Sequence, residues 1–237
     1  MIFHRQEFYT GTGVEKLSRS FFEDAEDSTD IASSTQLPKI SCTVNEKFDM
    51  LLVFIGELSI FEVCLDLNQE PLGVISTEKY VFEVNSIIGE RNIGYISIPQ
   101  CEDLCLRLLS RALCSLANEV VSFDCFSISS YNSINRLLPN SVLSIGHEVK
   151  SERFDAPNIL QGLSAGLLNA SCFFPEVKVN SFIVLVSNYL GRSDISESTC
   201  SAIEKYCPVS LNSEKLSLAL AGFKRDPNVS SHNPMYL

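Results

Sequence analysis

Val179-Asn-Ser-Phe-Ile-Val-Leu-Val186 is the stretch that decides the fold. It is rich in β-branched residues, and Phe182 to Val186 is an unbroken apolar run. A strand with one wet face alternates apolar and polar side chains. A run without alternation predicts burial on both faces, the situation of an inner strand in a parallel or mixed sheet. Upstream, Phe48-Asp-Met-Leu-Leu-Val-Phe-Ile55 is a second dense run, stopped by Gly56. Ser59–Leu65, Lys79–Val84, Ile93–Ile98 and Val120–Ile128 read as further strands, several of them bounded by Asn, Gly or Pro turn signals.

Helical patterns fall between and after these runs. Pro99 opens one in which Leu104, Leu108, Ala112 and Leu116 recur at helical spacing, widened by Cys105, Leu109 and Leu113. Glu102 and Asp103 stand in its first turn, where the helix dipole favours acids. Asn158 is placed to cap a second helix with Ile159, Leu163 and Leu167 on one face. Ser196–Tyr206 and Ser213–Phe223 read as two closing helices, and Ser129–Phe154 as a polar, irregular stretch. Strands alternating with helices in this way predict an α/β layered sandwich, its central mixed or mostly parallel sheet flanked by helices. The expected organisation is one domain over residues 39–223 with flexible tails at both ends.

The N-terminal tail, residues 1–38, holds seven acids against three bases and reads as a mobile acidic arm. Its aromatics, Phe8, Tyr9, Phe21 and Phe22, leave room for a docked segment. The whole chain of 237 residues is 45% apolar, enough for a substantial core, and carries a net charge of −11. Without a cluster of Lys and Arg, neither a nucleic-acid groove nor a polybasic membrane surface is expected. No apolar run approaches the ~18 residues of a membrane-spanning helix.

Nine cysteines are spread along the chain: Cys42, Cys64, Cys101, Cys105, Cys114, Cys125, Cys172, Cys200 and Cys207. Most fall in apolar segments, and the N-terminus lacks the basic start and apolar run of a secretory signal. Buried thiols in a reducing cytosolic or nuclear setting are the expectation. Cys101 and Cys105 share a helix face, but no second ligand pair accompanies them, so no metal site is expected.

Gly162-Leu-Ser-Ala-Gly166 matches the G-x-S-x-G pattern of serine hydrolases, with Asp194 and His232 downstream in the order of that fold. The pattern needs a strand before it. Ala156-Pro-Asn-Ile-Leu-Gln161 is a poor one, because Pro157 has no N–H and Asn158 disfavours sheets. The two glycines instead suit a helix that packs closely on a neighbour. An α/β serine hydrolase using Ser164 is thus the alternative, and an enzyme is not the expectation.

The C-terminal tail, residues 224–237, contains Pro227, Pro234 and several Asn and Ser residues, and it ends Met235-Tyr236-Leu237. The prolines and turn formers oppose a helix, which leaves an apolar residue and an aromatic with nothing local to pack against. Such an end suits a docking plug: an apolar contact, a ring with one hydroxyl, and a carboxylate for a cation. By composition alone, an apolar residue followed by Tyr at this place ends roughly 1% of chains. A second feature gives it weight. Asp155-Ala-Pro-Asn-Ile-Leu160, a small-residue helix to Ala170, the Phe182–Val186 strand and the loop Asn188–Asp194 together resemble the proteasome assembly chaperone 1 family. There a Pro-Asn-Ile sequence opens a Leu/Ala-rich helix before a hydrophobic strand, and the C-terminus carries a hydrophobic-Tyr-any motif.

The resemblance implies a non-enzymatic chaperone without cofactor that pairs with proteasome assembly chaperone 2. The heterodimer would sit on the proteasome core-particle α-ring, with its tails in pockets between adjacent α subunits. Tyr236 would be the wedge and Met235 an apolar contact, and the Leu237 carboxylate would meet a lysine. Docked there, the pair would promote α-ring and core-particle assembly and block premature activator binding. The resemblance covers the body from about Phe48 and the extreme tail.

Overall fold

The computed structural model describes residues 39–67, 71–90, 92–99, 103–133, 137–148, 151–189 and 192–225. The acidic arm 1–38, Cys101, His232 and the terminal Met235, Tyr236 and Leu237 lie outside them.

Nine strands form one mixed sheet in the order β1-β3-β4-β5-β2-β6-β9-β7-β8. They are β1 Ser41–Cys42, β2 Phe48–Ile55, β3 Gly73–Ser76, β4 Val81–Ser86, β5 Ile93–Ile98, β6 Ala117–Ser127, β7 Val142–Gly146, β8 Glu152–Arg153 and β9 Lys178–Val186. The centre, β5-β2-β6-β9, is parallel. The strands β4 and β7 flank it antiparallel. A separate two-stranded hairpin pairs β10 Asn188–Tyr189 with β11 Arg192–Ser193. The helices are α1 Asp103–Ser115, α2 Gly162–Ser171, α3 Glu197–Glu204 and α4 Ser213–Arg225.

The expected two-sided burial of the central strands is borne out. Every residue of β9 from Val179 to Val186 is buried, as is β2 from Leu51 to Ile55. Alternate side chains of each strand feed opposite layers, because successive Cβ atoms point to opposite faces of a sheet. Leu51, Val53 and Val179 pack with Leu109, Leu113, Leu163 and Leu167 of α1 and α2. Leu52, Phe54, Phe182 and Val184 pack with Cys200 and Ile203 of α3 and Leu216 of α4. On this second face Phe54, Phe123 and Phe182 stand opposite one another on β2, β6 and β9. Their rings stack at 5.1 and 5.3 Å, and Tyr206 extends the ladder at 5.2 Å from Phe182. A smaller cluster of Leu143, Phe154, Ile183 and Leu185 closes the β7 side.

Three local expectations are corrected. Residues 59–65 are not a strand: Ser59 to Cys64 belong to a 3₁₀ helix, Gly56–Cys64, and Leu65 caps its end. Its buried residues Leu58, Phe61 and Cys64 are three apart, the repeat of that helix, and the short window imitates alternation. In α1 the buried stripe is Cys105, Leu109 and Leu113, while Leu108 is partly exposed, so the working face is one residue on from Leu104–Leu108–Ala112. The stretch 129–154 contains β7, which joins the sheet beside β9 with Val142, Leu143 and Ser144 all buried. Its Ser and Gly content disguised it.

Candidate functional site

The parallel strands β2, β5, β6 and β9 all end on the same edge of the sheet, and open α/β sheets characteristically place their sites beyond such carboxyl ends. The G-x-S-x-G segment lies under this edge. Gly162 begins α2 with φ of +68°, a value that suits glycine, and Ser164 follows in the first turn. No strand leads into it, so no nucleophile elbow exists here.

Ser164 has no exposed surface, and its Oγ donates a 2.8 Å hydrogen bond to Oδ2 of Asp124 on β6. Cys125 donates its backbone N–H to the other oxygen, Oδ1, at 2.8 Å. Burial raises the Asp124 carboxyl above the ordinary carboxylate range, opposed by the bonds from Ser164 and from the Cys125 backbone. Beside it the hydroxyls of Ser122 and Ser181 meet at 2.7 Å across β6 and β9. These groups form a polar seam that fixes α2 to the sheet.

Gly166 makes the close helix approach that the two glycines suggested. A Cβ there would stand 2.4 Å from Ser110 Oγ of α1. Gly162 has nothing within 4 Å of its Cβ position, so its role is the backbone turn alone.

The Pro-Asn-Ile segment does not open the helix. Gln161 is the residue before α2, and the Ala156–Pro157 peptide is cis. Asn158 ties two loops together instead. Its Oδ1 accepts from the Asn132 N–H at 2.7 Å, and its Nδ2 donates to the carbonyls of Asn132 and Asp155 at 2.7 and 2.8 Å. Tyr131 adds a second tie, its hydroxyl accepting from the Asp155 N–H at 3.2 Å. A shallow pocket opens beside this junction, lined by Tyr131, Asn132, Glu152, Arg153, Asp155 and Pro157. Ile159, expected on the helix face, is 70% exposed, and its neighbour Leu160 packs on the β7-side cluster.

A further tie, not anticipated from sequence, is Asn140. It sits at φ +66° with its N–H on the Leu185 carbonyl. Its side chain donates to Ser198 Oγ at 2.9 Å and accepts from Thr199 Oγ1 at 2.8 Å, which anchors the start of α3 to the end of β9. Pro139-Asn140 is a turn signal that could have marked it. Asp194 donates its N–H to the Ser187 carbonyl, continuing the same edge, and is not brought to Ser164 by any hydrogen bond among the described residues.

Cys64, Cys105, Cys114 and Cys200 are buried, whereas Cys42 and Cys172 are exposed. Burial pushes Cys114 up to about 11, and Cys207 likewise to about 11. A hydrogen bond shared with Cys200, and burial, hold the Cys64 thiol protonated well above the usual range. Among the described residues no group of three or more His, Cys, Asp or Glu is placed to hold a metal. No helix among them is long and apolar enough to cross a membrane.

The last helix leads toward the terminal triplet. Its start is tied to the opposite edge: the Asn212 N–H reaches the Cys64 carbonyl, and Lys215 Nζ lies 2.5 Å from Asp66. One turn on, Ser217 bonds Glu197 at the start of α3, and Leu220 and Ala221 line a groove with Asp194, Ile195 and Ser196. The helix α4 therefore runs toward the carboxyl ends of the parallel strands.

The chain has the fold of the proteasome-assembly chaperone homologues, a mixed α/β sheet covered by helices on both faces. PbaA of Pyrococcus furiosus, an archaeal homolog of proteasome-assembly chaperone, superimposes with a TM-score of 0.55 at 12% identity over 78% of this chain and 93% of that one. PbaB of the same organism, an archaeal proteasome activator, gives 0.54 at 10% identity over 78% and 96%. A protein of unknown function from Corynebacterium glutamicum gives 0.55 at 12% identity over 80% and 88%. No protein-family model matches the sequence. No curated protein matches it either.

Proposed function

We propose that this chain is a non-enzymatic proteasome assembly chaperone that pairs with proteasome assembly chaperone 2 and docks on the core-particle α-ring through Met235-Tyr236-Leu237. The observation that carries the reading is a coincidence of two features. A body with the fold of PbaA ends in a hydrophobic-Tyr-any triplet on a polar, proline-containing tail. The burial of Ser164 against Asp124 speaks against the hydrolase alternative, since no substrate atom reaches a hydroxyl without exposed surface.

Energetics explain why a body and a partner are needed. Burying Met235 and Tyr236 contributes about 1.5–3 kcal/mol each, and a charged carboxylate bond about 1.5–3 more. Ordering the tail costs ~1 kcal/mol or more per residue fixed. A net near 4 kcal/mol corresponds to about millimolar affinity. A second tethered tail or a second contact surface raises this through effective concentration. The heterodimer supplies both, and in this reading it works in the cytoplasm and nucleus, promoting α-ring assembly and holding the pockets closed to activators.

Affinity purification of the tagged full chain tests this. The expected eluate contains proteasome assembly chaperone 2 and α subunits without the regulatory particle. An eluate lacking both contradicts the reading.

A further inference from the structure

The carboxyl edge of the sheet carries more than loops. Two neighbouring pairs of residues there divide between core and solvent. Leu137 and Leu160 pack on the β7-side cluster, while Leu138 and Ile159, each next in sequence, are 63% and 70% exposed. The backbone at or beside each of them is held in place. Ser141 brackets Leu138, its Oγ accepting the Leu138 N–H and its N–H donating to the Leu138 carbonyl. Ile159 follows Asn158, the residue that joins the loops at 132 and 155. Outward-facing aliphatic side chains on backbone this well tied leave little backbone freedom to lose on binding.

The root of the tail lies on this same edge. The groove between α3 and α4 is lined by Ile195, Leu220 and Ala221, and Arg225 ends α4 one turn farther on. Twelve residues follow Arg225. At ~3.3 Å per residue they span at most about 40 Å, so whatever receives Tyr236 is within reach of this edge. Three exposed acids, Asp155, Asp194 and Glu197, stand among the apolar residues.

The geometry points to this carboxyl edge as the second contact with the α-ring: Leu138 and Ile159 enter apolar sockets beside the pocket that takes the tail, on a ring surface that presents Lys or Arg to Asp155, Asp194 and Glu197. The inference rests on the proposed tail docking and names the body surface that supplements it. The edge strands β1 and β8, two residues each, offer little backbone for pairing, whereas the carboxyl edge offers apolar contact and charge together.

The test is binding of the full chain, complexed with proteasome assembly chaperone 2, to purified α-rings by interferometry. Five versions are compared: wild type, Leu138→Asp/Ile159→Asp, the milder Leu138→Ala/Ile159→Ala, Ile88→Asp, and a deletion of residues 235–237. Ile88 is 57% exposed at the opposite, amino edge, where its N–H bonds Asp66, and serves as control. With the tail intact, the Asp pair is expected to weaken binding about tenfold or more, the scale for losing buried aliphatic side chains. The Ala pair is expected to weaken it severalfold and the control to leave it unchanged. If the Asp pair unfolds, the Ala pair decides. Unchanged binding by the pair that folds, alongside loss on deleting 235–237, overturns the inference and leaves the tail reading standing. A wild-type complex that ignores α-rings overturns both.

Discussion

Ser164 on α2 and Asp124 on β6 are joined by a 2.8 Å hydrogen bond in which the serine is the donor. The proton a hydrolase would need to shed is committed to a carboxylate beneath a helix. This pair is structural, and it makes α2 part of the sheet rather than a lid above it.

Ser164→Ala removes that donor. Helix propensity slightly favours Ala, by a few tenths of a kcal/mol. Leaving the Asp124 carboxylate, half-buried beneath α2, with one donor fewer costs about 1–3 kcal/mol and dominates. The melting temperature should fall by several degrees while binding to proteasome assembly chaperone 2 is retained. Thermal unfolding beside a mixing experiment checks both, and a fluorophosphonate probe should leave the wild-type chain unlabelled.

Asp124→Asn tests the sign of the pH dependence. The folded-state pKa of Asp124 is raised, so the folded chain holds this proton more tightly than the unfolded chain. Stability therefore falls as pH rises from the ordinary carboxylate value, about 4, through the raised folded value. Asn carries no charge: its Oδ1 keeps the Cys125 N–H bond, and its Nδ2 takes the place of the oxygen facing Ser164 and donates to that hydroxyl, which turns from donor to acceptor. The variant should be at least as stable as wild type near neutrality and show a shallower decline of melting temperature with pH.

Gly166→Ala should destabilise by about 1–3 kcal/mol, the usual scale of overpacking. The new Cβ meets Ser110 Oγ at 2.4 Å but Ser110 Cβ at 3.5 Å, an ordinary contact. Removing the hydroxyl with Ser110→Ala should thus restore most of the stability. A denaturant double-mutant cycle reads this as a favourable coupling between positions 110 and 166.

Thiol labelling followed by peptide mapping checks the layer assignment. Among the described cysteines, Cys42 and Cys172 should react first with iodoacetamide. Cys64, Cys105, Cys114 and Cys200 should react only on unfolding. Rapid labelling of Cys64 or Cys200 would contradict the packing of α3 on the sheet.

Much of the sheet was legible because long apolar runs leave little choice. Val179–Val186 and Phe48–Ile55 could bury themselves only between two layers. The short elements were not. Leu58, Phe61 and Cys64 have a period of three that a seven-residue window cannot tell from two. Val142–Gly146 became a strand because β9 had a free edge to pair with, a tertiary cause invisible in five residues. At the candidate site Ser164's neighbourhood followed from the missing strand before it. The roles of Asn140 and Asn158 did not, since each joins loops distant in sequence. The terminal triplet was legible as chemistry alone, and its placement lies outside the described residues.

Docking of the last three residues in an α-ring pocket stands or falls with the α-ring affinity of the chaperone complex carrying either Tyr236→Ala or one extra residue after Leu237. Tyr236→Ala deletes the largest apolar surface of the plug, and the added residue moves the carboxylate about 3.3 Å from its cation. Both should weaken binding about tenfold or more while heterodimer formation is unchanged. Wild-type affinity in both variants would mean that Met235-Tyr236-Leu237 does not occupy an α-ring pocket.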